Sequence, residues 1–333
     1  MPSQHSPAPV DETGLRIIAD LQSNGRASWT QIAERWGLSV NAVARRGQQL
    51  LSSGAIRIGV QPSYRILQGS GALGDLRLVC TPGTQLEVAQ ALLDLPELRF
   101  LSLVTGSHDL IGELTTPPDG RARLQQLQQI QAIPGVQRCV VNPHIHAYKW
   151  SQSWLRQTLQ DHVPLHTAVE AHCSGDHLDD VDRRIIAAME GDGRISLRAV
   201  AERLDLPGST VRRRFDALMS CGCVEVITLV SARAVGYESE TLLDVFVEPA
   251  KLEQVARQLA EHDGIRYIAA SLTAPSLFCE VILPSADDLF AFFSNHLGQM
   301  DGVRGWDAST EVLTLKRGYL ETPWWRAVAE GML

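Results

Sequence analysis

Apolar positions along this chain keep two different rhythms, and the two rhythms occur in the same order twice. Val181, Ile185 and Met189 recur at a spacing of four, one stripe of an amphipathic helix. Gly193-Arg194 breaks that pattern, and a second helix is predicted over 197–204. A tight turn at 205–208 leads to a third helix over 209–220, ended by Gly222 as helix C-caps are. A short β-rich segment, 223–230, then reads as a wing. Earlier in the chain, Gly25-Arg26 precedes a helix over 29–36, opened by Ser28 with Gln31 three residues on, a capping-box pattern. A turn at 37–39, a helix over 41–51, Gly54 and a β-rich segment at 55–60 complete the same series.

After each such unit the pattern changes to strand, helix, two strands, helix, strand. The first series covers 76–80, 85–93, 99–105, 109–115, 121–130 and 136–143; the second covers 242–248, 252–260, 265–272, 277–283, 286–297 and 303–315. That βαββαβ order predicts a ferredoxin-like sandwich with two helices on one face of a four-stranded antiparallel sheet. The bare sheet face must be covered, and pairing with another such sheet is the usual way. A duplicated chain carries the second sheet with it.

A shift of 168 residues lays the chain over itself. Residues 11–56 and 179–224 share 18 identities in 46 ungapped positions, among them Arg16/Arg184, Gly25/Gly193, Arg26/Arg194, Arg45/Arg213 and Arg46/Arg214. A repeat of this length is a duplicated domain pair, since solenoid periods run nearer 20–50 residues. The fold class is therefore α+β, two tandem copies of a winged helix-turn-helix plus a ferredoxin-like βαββαβ domain. The boundaries expected are a flexible tail at 1–10, helix-turn-helix units at 11–62 and 178–232, regulatory domains at 72–148 and 241–318, a linker at 149–177 and a C-terminal tail at 319–333.

Composition changes this picture little. The chain of 333 residues is 44% hydrophobic and 20% charged, ordinary globular values. No apolar run approaches a membrane span, the polar, proline-rich start does not read as a secretory signal, and the six cysteines form no compact framework, so a reducing cytoplasmic setting is expected. The net charge of −8 argues against a polyanionic partner only as an average. Positive charge is concentrated where a DNA-reading helix needs it: Ser209, Thr210, Arg212, Arg213 and Arg214 in copy two, and Ser39, Asn41, Arg45 and Arg46 in copy one. Such residues reach base edges in the major groove and meet phosphates. The bland alternative is that the paired arginines brace helix ends. Ala44 stands where copy two has Arg212, so an asymmetric DNA site anchored mainly by copy two is expected.

The runs Asp182-Arg183-Arg184-Ile185-Ile186, Gly193-Arg194-Ile195-Ser196, Val200-Ala201-Glu202-Arg203-Leu204 and Ser209-Thr210-Val211-Arg212-Arg213-Arg214 resemble the Lrp/AsnC (feast/famine) family of transcription regulators. The resemblance covers nearly the whole chain, twice. It implies a winged helix-turn-helix before a ferredoxin-like regulatory domain, association through that domain, and an amino acid or related small molecule bound between subunits. Most members carry one copy, so the tandem form implies an internal pseudo-dimer. The partners implied are double-stranded DNA, a small-molecule effector and further copies of the chain, with no membrane.

The turn Thr105-Gly106-Ser107-His108-Asp109 resembles the family's Gly-x-x-Asp turn near the effector pocket, whereas copy two reads Thr273-Ala274-Pro275-Ser276-Leu277 and has lost both glycine and Asp. Effector binding is therefore expected in copy one, although such an Asp serves equally well to hold a hairpin turn. His162, His166, His172, Cys173 and His177 cluster before copy two, but their spacings match no standard zinc site and read as a solvated linker. Cys221 and Cys223 flank Gly222, either as a redox trigger or, more ordinarily, as two small buried residues. Trp324-Trp325 reads as packing on a domain or partner surface, with no chemistry implied. No phosphate loop, nucleophile elbow or metalloprotease spacing appears, so no catalytic residue, cofactor or metal is expected. Two other readings stand beside the regulator. Siroheme decarboxylases resemble this family, but their Tyr-Asn pair and Asn-x-Trp-Phe strand have no counterpart in Ser63-Tyr64-Arg65 or in the strand after His108. A sensor acting through protein partners is opposed by the arginines of copy two.

Overall fold

The computed structural model describes residues 10–63, 66, 71–150, 154–155, 177–274 and 276–332. Copy one begins with α1 (Glu12–Ser23), α2 (Trp29–Trp36) and α3 (Val40–Ser52), followed by β1 (Ile56–Pro62). Its sandwich is β2 (Ala72–Cys80), α4 (Gln85–Leu93), β3 (Leu98–Val104), β4 (Leu110–Thr116), α5 (Gly120–Gln131) and β5 (Val136–Trp150). Copy two repeats the series as α6 (Asp180–Glu190), α7 (Leu197–Leu204), α8 (Gly208–Ser220), β6 (Val224–Val230), β7 (Ser239–Val247), α9 (Leu252–Glu261), β8 (Ile265–Ser271), β9 (Leu277–Leu283), α10 (Ala286–Ala291) and β10 (Val303–Arg317). A short β11 (Leu320–Glu321) and α11 (Pro323–Met332) follow. Among the described residues no helix is long and apolar enough to cross a membrane.

Local chemistry accounts for the helix starts. Ser28 and Gln31 make the capping box read from the sequence, and Asp179 with Asp182 makes a second. Gly37 closes α2 at φ +63, whereas Asp205 takes the same left-handed turn in copy two.

The β-rich segments read as wings pair with one another. β1 and β6 form a two-stranded antiparallel ribbon with Ile56 opposite Val230, Gly59 opposite Ile227 and Pro62 opposite Val224. Gly59 and Ile227 are equivalent positions of the repeat, so the local pseudo-twofold passes through that pair. Gly59 has to be glycine, because a Cβ there would meet Leu320 Cδ1 and the Glu190 carbonyl oxygen at 2.3 Å.

The two ferredoxin-like sheets also join. β5 pairs with β2 through its first half and with β8 of copy two through residues 144–150. β10 does the reverse, pairing with β7 and then with β3 of copy one. Strand order therefore runs β10-β3-β4-β2-β5-β8-β9-β7 and returns to β10, a closed ring of eight strands. β5 and β10 are 15 residues each, longer than the 8 and 13 expected, because their second halves complete the other copy. Helices cover the outside: Val88 and Leu92 pack on Leu76, Leu78 and Leu110, and Val255 and Leu259 pack on Leu243, Ile268 and Val281. Trp325 of α11 is buried in the copy-one core beside Leu313 and Leu315.

Candidate functional site

Each third helix packs one face inward and leaves the other bare. Val43, Gly47 and Leu50 are buried on α3, and Val211, Phe215 and Leu218 on α8. Arg46 stands three after Val43 and four before Leu50, so it leans inward, and Arg214 holds the same place on α8. Arg46 Nε donates to Asp11 Oδ1 at 3.0 Å, the carboxylate that caps α1 through Gly14 N. Arg214 Nη1 donates to Asp179 Oδ2 at 2.8 Å and Asp182 Oδ1 at 2.9 Å, the capping box of α6. These two arginines brace the first helix of their unit, the alternative weighed for the arginine pairs.

Arg45, Arg212 and Arg213 are exposed, and among the described residues none of them forms an ion pair. Asn41 and Ser209 are exposed beside them, while Thr210 is half-buried. Ser39 is the N-cap of α3, its hydroxyl accepting from Ala42 N at 3.2 Å. The equivalent position in copy two is Pro207, which offers no side-chain cap. Among the described residues, the open face of α8 thus carries two guanidinium groups without an ion pair and a start with no side-chain cap; that of α3 carries one such guanidinium and a capped start.

The repeated Gly-Arg pairs have a role beyond breaking a helix. Arg26 donates to the carbonyls of Gly193 (2.5 Å) and Ile195 (3.1 Å), and Arg194 returns the contact to Gly25 (2.8 Å) and Ala27 (3.0 Å). Arg194 also lies 4.2 Å above the Trp29 ring. Burial lowers the pKa of both arginines, and each stays bound through charged donors to carbonyl oxygens. Arg26→Ala strands the Gly193 and Ile195 carbonyls across the pseudo-twofold and is expected to cost about 2–3 kcal/mol of unfolding free energy. Urea unfolding of the full chain checks it, with Arg198→Ala, on an exposed pair with Glu202, as a near-neutral control.

The copy-one turn lies between β3 and β4 and rests on β10 of the other copy. Thr105 N donates to Thr310 O at 3.0 Å, and Gly106 sits at φ +110 with Ser309 Oγ 3.1 Å from where a Cβ would stand. Thr105, Gly106 and Ser107 are exposed, and Ser107 Oγ is 2.9 Å from His108 Nδ1. Burial, then the charges of Arg77 and Arg138, lowers the pKa of His108. Asp109 accepts from Cys80 N at 2.7 Å and Gln85 Nε2 at 3.3 Å, the contacts of a residue that holds its hairpin. In copy two Thr273 Oγ1 donates instead to Asn142 Oδ1 at 3.1 Å.

Inside the ring the two bare sheet faces meet over a charged network absent from the sequence-based expectations. Arg99 pairs with Glu113 in copy one, and Arg266 with Glu280 at the equivalent places of copy two. Arg77 bridges the copies, bonded to Asp75 and to Asp244. His144 is fully buried: Nε2 is 3.1 Å from Asp75 Oδ1, and Nδ1 is 3.0 Å from the Tyr267 hydroxyl, which donates to Glu113 Oε1 at 2.8 Å. Burial opposes a charged imidazole, but the hydrogen bonds and charges of Asp75 and Glu113 outweigh it and raise the His144 pKa to about 9. Burial likewise opposes the Glu113 carboxylate, and Arg99 with His144 nonetheless holds its pKa down at about 2. A cavity beside Arg99, Trp150, Arg266 and Arg317 is about 30 Å³, room for one or two waters. The signal was available, since Asp75-x-Arg77, Arg99/Arg266 and Glu113/Glu280 are charged positions on strands that should be apolar if buried.

His162, His166, His172 and Cys173 lie outside the described residues. His177, Cys221 and Cys223 come together beside the end of α8.

Two helix-turn-helix units clasped about a pseudo-twofold, each followed by a ferredoxin-like sandwich, define a duplicated helix-turn-helix regulator. The model of the AsnC-type helix-turn-helix domain matches residues 10–51 and 178–219. A helix-turn-helix-type transcriptional regulator of Pyrococcus furiosus is 32% identical over 143 residues, a match covering 43% of this chain and 97% of that protein. A second, from Pyrococcus abyssi, is 29% identical over 150 residues, covering 45% of this chain and 95% of that protein. The chain belongs to the Lrp/AsnC family of transcriptional regulators, and each of these relatives has the length of one copy. Among solved structures, the siroheme decarboxylase NirDL matches 96% of this chain and 99% of its own with a TM-score of 0.58 at 12% identity, a likeness of fold across both copies.

Proposed function

We propose that one chain acts as a ready-made dimer that reads an asymmetric DNA site, with α8 as its main reading helix and α3 as the weaker one. The observation that carries this is that Arg212 and Arg213 of α8 are exposed with no ion pair among the described residues, against Arg45 alone on α3, while Arg46 and Arg214 are held against their own helix caps. Ser209, Thr210 and the uncapped start of α8 add donors for base edges and phosphates, and Ser39, Asn41 and Arg45 supply the second half-site. Footprinting of the full chain on upstream DNA is the test. Two half-sites of unlike sequence about one helical turn apart are expected, and a palindrome protected equally in both halves would overturn the reading.

The effector is an amino acid or a small relative, taken at the turn of Thr105, Gly106, Ser107 and the half-buried His108 in copy one, with Asp109 holding the hairpin. Titration calorimetry with single amino acids is expected to give one site per chain that Gly106→Val removes; two equal sites would contradict it. Further association of chains has apolar surface to use, since Phe290 and Leu272 are 73% and 65% exposed. The role is regulatory rather than catalytic, and the decarboxylase reading keeps support from the whole-chain likeness of fold to NirDL. A haem-type absorption band on adding iron-uroporphyrin III would favour that second reading.

A further inference from the structure

We propose that His177, Cys221 and Cys223 form a metal site for a thiolate-seeking ion, zinc(II) being the one the ligand set fits. The sulfurs of Cys221 and Cys223 are 2.9 Å apart, and His177 Nε2 lies 3.3 Å from Cys223 Sγ and 3.8 Å from Cys221 Sγ. Bonds of about 2.3 Å to sulfur and 2.0–2.1 Å to imidazole nitrogen put tetrahedral ligand atoms roughly 3.5–3.8 Å apart. The two sulfur–nitrogen edges are already near that size, and the sulfurs need only part by under about 1 Å. Binding replaces two thiol protons with the ion, so two protons leave for each zinc that enters.

The backbone explains how ligands 44 residues apart in sequence meet. Cys221 is the C-cap of α8, Gly222 turns the chain at φ +68, and Cys223 leads into β6, so the glycine lets both sulfurs face one point. His177 stands two residues before Asp179, the N-cap of α6. Cys223 is buried, Cys221 half-buried and His177 exposed, so the three ligands lie where the core meets the surface.

The internal repeat supplies the control against ordinary packing. The positions 168 residues earlier are Pro9, Ser53 and Ala55, none of them a zinc ligand. Ala55 is 2% exposed, so the same buried place is filled without a thiol, and Ser53 serves as the C-cap of α3 in place of Cys221. Three ligating residues have appeared at three positions that converge, and only in copy two. The ion would fasten the segment entering α6 to the end of α8, next to the Arg214–Asp179 pair, and so fix the orientation of the main reading helix.

The test uses the full-length chain, reduced and stripped of metal with a chelator, then titrated with zinc chloride or cobalt chloride. One ion per chain is expected, with thiolate-to-cobalt charge-transfer absorption and the intense visible bands of tetrahedral cobalt. Cys221→Ser and His177→Gln, both at surface-reaching positions, should each weaken binding by at least about tenfold, with an unchanged thermal midpoint for the metal-free proteins. Metal bound equally by these variants, or no stoichiometric binding, would each overturn the site.

Discussion

A chain carrying Arg212→Ala and Arg213→Ala is expected to bind its DNA site roughly a hundredfold more weakly, since each arginine that meets a base or phosphate contributes about 1–3 kcal/mol. Arg45→Ala on the other helix should cost about tenfold or less by the same scale. The salt dependence separates charge from shape: the slope of log affinity against log salt should fall by about two in the double variant and about one in the single. Arg214→Ala provides the contrast. Its partners are Asp179 and Asp182, so its loss should destabilise copy two while leaving the salt slope of the folded protein unchanged. Fluorescence anisotropy at three or more salt concentrations measures all four proteins. Equal losses from the α3 and α8 variants would sink the assignment of α8 as the main reading helix.

Asp75→Asn is expected to cost about 3–5 kcal/mol, the range for breaking a buried ion pair from one side. Asp75 is wholly buried and accepts from Arg77 Nε at 2.5 Å, Asn142 Nδ2 at 3.0 Å and His144 Nε2 at 3.1 Å. Asparagine keeps the shape and removes the charge that His144 and Arg77 share. The same variant should change the pH profile. The folded pKa of His144 is raised to about 9 from an ordinary 6.5. Its contribution, about 3 kcal/mol at 1.36 kcal/mol per unit, is therefore whole below pH ~6.5 and lost as pH rises through ~9. Burial also pushes Glu311 up to about 8, so its neutral form is favoured in the fold and its effect runs the same way, weakening stability as pH rises from its ordinary 4.5. Glu113, held near 2, acts oppositely: its contribution is present above pH ~4.5 and disappears on acidification toward 2. Urea unfolding from pH 5 to 10 should show an alkaline decline in the wild-type chain that is flatter in Asp75→Asn. An identical decline in both would remove His144 as its source.

Much of the fold could be read from local pattern. Helices 29–36, 85–93 and 197–204 and strand 277–283 fall where the periodicity puts them, because their apolar faces pack within their own copy. What could not be read has partners far along the chain. The second halves of β5 and β10 carry polar residues such as His144, Lys149, Lys316 and Arg317, and they are strands only because the other copy offers β8 and β3 as neighbours. The pairing of β1 with β6 escaped for the same reason. Within the reading helices, neighbouring arginines looked alike as a pair, yet the i+3 and i−4 spacing from Val43 and Leu50 already marked Arg46 as the inward one. The cysteines and His177 gave no recognisable spacing because a turn and a linker, rather than one motif, bring them together.

The exchange of β5 and β10 also has a cost in time during synthesis. When Trp150 has left the ribosome, β3 still lacks its outer neighbour and the last seven residues of β5 have nothing to pair with. Closure waits for Arg317, a delay on the order of ten to thirty seconds at about 5–20 residues per second. Through that interval the nascent half is an open, sticky edge of the kind that finds a second copy of itself. Once the downstream half is made, covalent linkage holds it at a high effective concentration, and so favours closure within one molecule over pairing between neighbouring chains.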